Sequence, residues 1–345
     1  MSLSACAEIP GSGSTGYVTR KELVKISCAS AILVVFLLST HELPAAESAM
    51  VNANGIALGE VTATEAGSEK SGEDEESNLA KQLANPISSL ISVPFQANED
   101  FGYGPSHNGY KFTLNIQPVI PISLTKDWNL ILRTIFPIVS QHDLFYVENV
   151  PKSLHIIQNR SQDGLSDTTQ SFFFSPKAPG PFGLIWGIGP ALLYPTGTHP
   201  LLGTGTFSIG PTVVVLKQMG GLTAGALMNQ LWSVATEEDR RSVSQMFLQP
   251  FLSYTTKTHT TFTINTESTA NWNNTPGDAK WTVPLIFSIS QVLKIGKQPV
   301  SIQLGGKYYV DTPRYGPDWG VRLNFTLLYP TARPKLGPMP GTYSK

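Results

Sequence analysis

Cysteine is nearly absent from this chain. Its only two, Cys6 and Cys28, fall in the first thirty of 345 residues, so the remainder holds neither a disulfide scaffold nor a Cys-based metal site. Charge is scarce as well. Asp, Glu, Lys and Arg make up 14% of the residues and nearly cancel, to a formal net charge of -1, which leaves no basic footprint for nucleic acid. Long apolar runs are missing except for one, residues 26–38, and it is shorter than the ~20 residues a spanning helix requires. Any membrane crossing by the rest of the chain must therefore use β-structure.

That single run follows Arg20, Lys21 and Lys25 and precedes Ala45 and Ala46. Basic region, apolar core and small-residue exit, in that order, mark a secretory signal peptide over residues 1–46. The cut is approximate, because Pro44 suits the −3 place poorly, and a signal-anchor helix is the alternative. Residues 47–84 carry Glu47, Glu60, Glu65, Glu69, Glu73, Asp74, Glu75 and Glu76 against Lys70 and Lys81, with no aromatic residue. Such a stretch buries too little apolar surface to order itself and is expected to be a flexible linker. Its acidic run lacks the alternating ligands and turn glycine of a calcium loop, so it reads as solvated charge.

From residue 85 the character changes. The segment WGVRLNFTLLY places Trp319, Val321, Leu323, Phe325, Leu327 and Tyr329 at every second position, with Gly320, Arg322, Asn324 and Thr326 between. A period of two belongs to a strand whose faces meet different media. It recurs near 87–97, 110–120, 128–138, 165–176, 182–195, 206–217, 222–233, 244–255, 260–272, 280–292, 299–310 and 319–329. These are about twelve strands of the length needed to cross a bilayer at a tilt. Those near 182–195 and 206–217 are apolar or glycine-rich on both faces.

Short connectors near 121–127, 177–181, 218–221, 256–259 and 293–298 alternate with longer ones near 98–109, 139–164, 196–205, 234–243, 273–279 and 311–318. That alternation predicts an all-β, antiparallel, up-and-down transmembrane β-barrel over residues 85–330, followed by a tail, 331–345. Lys126, Lys177, Lys217, Lys257, Lys294 and Lys297 fall at the short turns, where they would reach anionic head groups of the outer-membrane lipids. Proline sits awkwardly in several strands, at 94, 118, 137, 190, 211, 250 and 284, and bulges are the expected remedy. Alternation does not by itself say which face is outside. Aromatic residues near strand ends, the strand number and an aromatic last residue favour apolar faces toward lipid.

The phrases NPISSLISVPFQ, FTLNIQPVIPISL, WNLILRTIFPIV, QSFFFSPK, GLIWGIGPALLYPT, LQPFLSYTTKT, FTINTEST and SQVLKIGKQPVSIQLGGKYY resemble a bacterial outer-membrane family. It is named for the "MetA-pathway of phenol degradation", and some members are labelled neuromedin U-like. The likeness runs in order over about 84–330. It implies an outer-membrane barrel with a small-molecule transport role and brings no catalytic motif.

The residues themselves offer little catalytic chemistry. G-x-S-x-G, H-E-x-x-H and phosphate-loop patterns are absent. His107, His142, His155 and His199 fall on outside loops, where solvation is the plain reading, and no metal or cofactor is expected. His259 lies beside threonines rather than in the histidine–serine phrase of outer-membrane phospholipases. What remains is the lumen. With apolar faces on lipid, Lys111, Asn115, Gln117, Arg133, Glu267, Lys307, Arg322 and Asn324 point inward, since a charge on the lipid face costs ~2–4 kcal/mol near the midplane. Asn265 shares a face with Glu267, and Gln303 with Lys307. Such residues either select solutes at a constriction or pair with one another and fill a closed interior. The leading expectation is passage of small, aromatic or apolar molecules. The alternatives are a structural or ligand-binding barrel and a barrel enzyme. The oligomeric state is left open.

Overall fold

A computed structural model of the chain describes residues 76–330 apart from 145, 151–152, 158–160, 239 and 274–278. The expected signal peptide, residues 47–75 of the expected linker, and the tail lie outside the described residues.

Twelve antiparallel strands follow in chain order. They are β1 (Ile91–Tyr103), β2 (Gly109–Ile116 continued by Val119–Ser123), β3 (Trp128–His142), β4 (Gln162–Leu165 continued by Thr168–Pro176), β5 (Leu184–Tyr194) and β6 (Thr206–Met219). The second half comprises β7 (Leu222–Thr236), β8 (Ser244–Thr255), β9 (Thr260–Thr266 continued by Ser268–Asn271), β10 (Trp281–Ile295), β11 (Gln298–Asp311) and β12 (Trp319–Tyr329). Each strand pairs with its chain neighbours, and β1 closes the ring on β12 from Ile91↔Tyr329 to Phe101↔Trp319. Closure leaves no unpaired edge, the condition for β-structure in hydrocarbon. The expected strand order and count hold. The main boundary change is at β1, which runs on to Tyr103 and cuts the expected 98–109 connector to five residues, 104–108. The long connector after β3 carries its own hairpin, Tyr146–Val150 with Ser153–Ile157. Two of the short turns contract to two residues around Gly220 and Gly296, at φ 61° and 62°, a conformation glycine adopts without steric cost.

Alternation translates directly into two environments. On β12, Gly320, Arg322, Thr326 and Leu328 are buried, whereas Trp319, Val321 and Tyr329 are exposed. The outward apolar residues form a belt around the barrel; Phe287, Leu304 and Tyr308 are 61%, 60% and 65% exposed. A soluble protein rarely leaves so much contiguous apolar surface bare, and on a closed barrel this belt is the lipid face. Aromatic pairs mark both rims. Trp128 packs edge-on to Trp186 at one end, and Phe101 stacks on Trp319 and Trp272 meets Trp281 at the other. Lys177 is exposed at its short turn. It donates to Ser123 Oγ and to Thr125 O, tying the neighbouring short turn.

Four of the prolines are accommodated in three ways. Pro284 lies at a register shift between β10 and β11, and Pro118 at the break within β2. Pro190 and Pro211 require no bulge. They face each other across β5 and β6, and the ladder is interrupted on their far sides, toward β4 and β7. Gly189 and Gly210 precede them, and a Cβ there would collide with the carbonyls of Phe172 and Gln230.

The end of the expected linker is not extended. Residues 76–83 form a short helix, and Leu79 and Ala80 are buried with Leu90, Val292 and Leu328, with Leu83 packed against them. Leu328 shares the inward face of β12, so the helix sits inside the barrel, at the end with the short turns. Glu76 Oε2 lies 3.3 Å from His259 Nδ1, and Gln218 Nε2 donates to Lys81 O at 2.9 Å. The segment lacks enough apolar surface to fold alone; the barrel supplies the missing surface.

Candidate functional site: the barrel lumen

The strand parity that puts aromatics on lipid turns all eight candidate polar residues inward. Their register decides which of them meet. Asn98 of β1 stands opposite Arg322 of β12, and Gln96 opposite Asn324. Asp100 stands opposite Lys111 of β2, and Gln96 is also opposite Asn115. On the other side of β12, Gln303 faces Asn324, and Gly305 faces Arg322. Gly320 of β12 lies against the Asp100 side chain, where a Cβ would not fit.

Two ionic groups cross this space. Arg322 donates Nη1 and Nη2 to Glu267 Oε1 and Oε2 at 2.8 and 2.6 Å, and Nε to Asn98 Oδ1 at 2.7 Å. Gln249 Nε2 also donates to Glu267 Oε1 at 3.4 Å. The fork-to-fork geometry is the strongest form of this pair. Glu267 sits at the interruption of β9, yet the pairing of β9 with β8 keeps one register across it, so Asn265 and Glu267 stay on one face as expected. The second group is Lys307, whose ammonium lies 2.7 Å from Asp100 Oδ1. The Lys307 ammonium also lies 5.9 Å from the Tyr309 ring centroid, within cation–π range.

Toward the helix the lumen opens. A cavity of about 210 Å³ is lined by Gln96, Gln117, Arg133, Gln303 and Asn324 together with Leu83, Leu90, Val119 and Val292. Arg133 Nη2 donates to Gln117 Oε1 at 3.2 Å, and Gln303 Nε2 to Ser288 Oγ at 3.0 Å. Asn324 Oδ1 is buried without a partner among the described residues. The eight candidates therefore divide. Glu267, Lys307 and Arg322 belong to the charged belt, with Lys111 beside Asp100. Gln117, Arg133 and Asn324 line the cavity below, and Asn115 shares the level of Gln96.

Half of the lumen escapes a search for polar residues. Ile131, Phe173, Val214, Leu216 and Leu227 form a buried cluster with Ile87, and Ile185, Phe247 and Phe251 pack against it. These inward residues of β3 to β8 pack against one another and fill one side of the barrel interior with a buried apolar core. The available signal was the apolar character of both faces near 182–195 and 206–217. Asn98 and Asp100 were also missed. Glu99 on the outer face broke the alternation and made the end of β1 look like a loop.

His107 and His142 have separate partners. His107 Nδ1 bonds Asp318 Oδ2 at 2.8 Å, and His142 stacks on Tyr110. Among the described residues no three metal-ligating side chains come together.

No protein-family model and no curated protein sequence matches the chain. Its structure is similar to an outer-membrane channel from Pseudomonas putida F1, with a TM-score of 0.50 at 14% identity, over 70% of this chain and 96% of that one. A NanC porin and a Pseudomonas aeruginosa FadL homologue cover 98% and 89% of their own lengths and 69% and 70% of this chain. Their identities are 13% and 8% and their TM-scores 0.38 and 0.30, likenesses too slight to carry an inference. An even-stranded, closed, up-and-down barrel with an apolar outer belt is the architecture of bacterial outer-membrane proteins, and this chain is located in that membrane.

Proposed function

We propose that the protein is a channel through which small molecules with an apolar or aromatic body cross the outer membrane. The resemblance to the family named for phenol degradation points the same way. The observation that carries the reading is the mixed lining of the lumen cavity, with Gln96, Gln117, Arg133 and Asn324 beside Leu83, Leu90, Val119 and Val292. An amphipathic solute finds both an apolar surface and polar partners in such a space. Passage down a gradient needs no catalytic residue and no cofactor.

The test is single-channel recording in planar bilayers, with solute uptake by reconstituted liposomes alongside. Discrete conductance steps are expected. Complete electrical silence with no uptake would sink the proposal. A second reading, a non-conducting barrel, draws on the bidentate Arg322–Glu267 pair and on the helix packed inside. It predicts that silence, together with saturable ligand binding or none.

A further inference from the structure

We infer that the cavity between the charged belt and the helix is a binding site for the carboxylate of a small aromatic or apolar acid, anchored by Arg133. The inference rests on the channel reading for its purpose, since it names what the lumen selects.

Arg133 is the one charged side chain among the described residues that line this cavity. Both oxygens of Glu267 are occupied by Arg322, and Asp100 is paired with Lys307. Among the described residues, Arg133 bonds only Gln117 Oε1, through Nη2. A guanidinium presents five N–H donors in a planar fork, so most of that fork is left for an acceptor of matching shape, and a carboxylate is such an acceptor. Among the described residues the cavity is lined by one positive and no negative side chain, with Glu267 outside the lining but within electrostatic reach of Arg133, and this suits a monoanion.

The rest of the cavity defines what is attached to that carboxylate. Val119 stands directly opposite Arg133 across the strand pair, and Leu90 and Val292 continue the apolar surface. The volume of about 210 Å³ exceeds the roughly 150 Å³ that accommodates benzene in an engineered apolar cavity. A single ring bearing one carboxylate fits. Asn324, whose Oδ1 is buried without a partner among the described residues, offers an amide to a second polar group of the same molecule.

The experiment is isothermal titration of the detergent-solubilised full chain at neutral pH with benzoate and with benzyl alcohol, its uncharged counterpart. Saturable benzoate binding is expected, with benzyl alcohol at least tenfold weaker. Arg133→Gln should weaken benzoate at least tenfold and leave benzyl alcohol unchanged. Asn324→Asp, which adds a negative charge to the cavity, should weaken benzoate as well, and heat-modifiable migration in gels checks that both variants fold. Equal binding of the two probes, or an Arg133→Gln variant that binds benzoate as the parent does, overturns the site. Benzoate binding without conductance would sink the channel reading and support the site; conductance without benzoate binding would do the reverse.

Discussion

Arg322 and Glu267 reach each other across the lumen from strands that are not neighbours, β12 and β9, through two contacts of 2.8 and 2.6 Å. Strands β10 and β11 lie between them in the wall. The pair therefore braces the barrel as well as narrowing its interior.

Breaking that brace from one side leaves a buried charge without its partner. Arg322→Gln or Glu267→Gln alone should cost about 3–5 kcal/mol, read as a lower unfolding midpoint in denaturant from lipid vesicles. The double variant should lose less than the sum. Conductance should rise in all three, because the constriction is removed. Additive losses would show that the two side chains do not interact.

The helix over 76–83 is held in the lumen largely by Leu79 and Ala80. Burying a leucine side chain contributes about 1.5–3 kcal/mol, so Leu79→Asp should expel the helix while the hydrogen-bonded wall stays intact. Single-channel recordings should then show a higher open probability and larger steps than the parent. Unchanged recordings would mean that the helix does not obstruct passage.

The lipid face predicts a depth dependence. Phe287, near the middle of β10 and exposed, should cost about 2–4 kcal/mol when replaced by arginine, whereas Ile295→Lys at the strand end should cost about 0–1 kcal/mol. Reversible folding into vesicles measures both. Equal costs at the two depths would argue against a membrane midplane at Phe287.

Gly189 and Gly210 admit the carbonyls of Phe172 and Gln230 where a Cβ would collide, whereas nothing lies near Gly306. Gly189→Ala and Gly210→Ala should each destabilise by about 1–3 kcal/mol through forced strand displacement. Gly306→Ala is the control and should change stability by no more than about 0.5 kcal/mol. The same unfolding assay ranks all three.

The wall was legible because a period of two is a local property. Each strand needs only its own residues to present Phe325 and Leu327 to one side and Asn324 and Thr326 to the other, and connector lengths supply the up-and-down order. The same parity placed Lys111, Arg133, Glu267, Lys307 and Arg322 inside before any pairing was known. Legibility ended where one face stopped differing from the other. On β5 and β6, inward Val214 and Leu216 resemble outward Val213 and Val215 in kind, so alternation carries no sign of the buried apolar core.

By itself, then, the sequence determined the strands, their number, their faces and the medium each face meets, since burial on a barrel follows from residue parity. Only the tertiary structure decided the partners. Arg322 and Glu267 are 55 residues apart in the chain, and their meeting depends on register summed around the ring and on the width of the lumen. The helix was decided there too, because much of the surface that orders residues 76–83, beyond nearby Leu90, belongs to strands more than two hundred residues further on, at Val292 and Leu328.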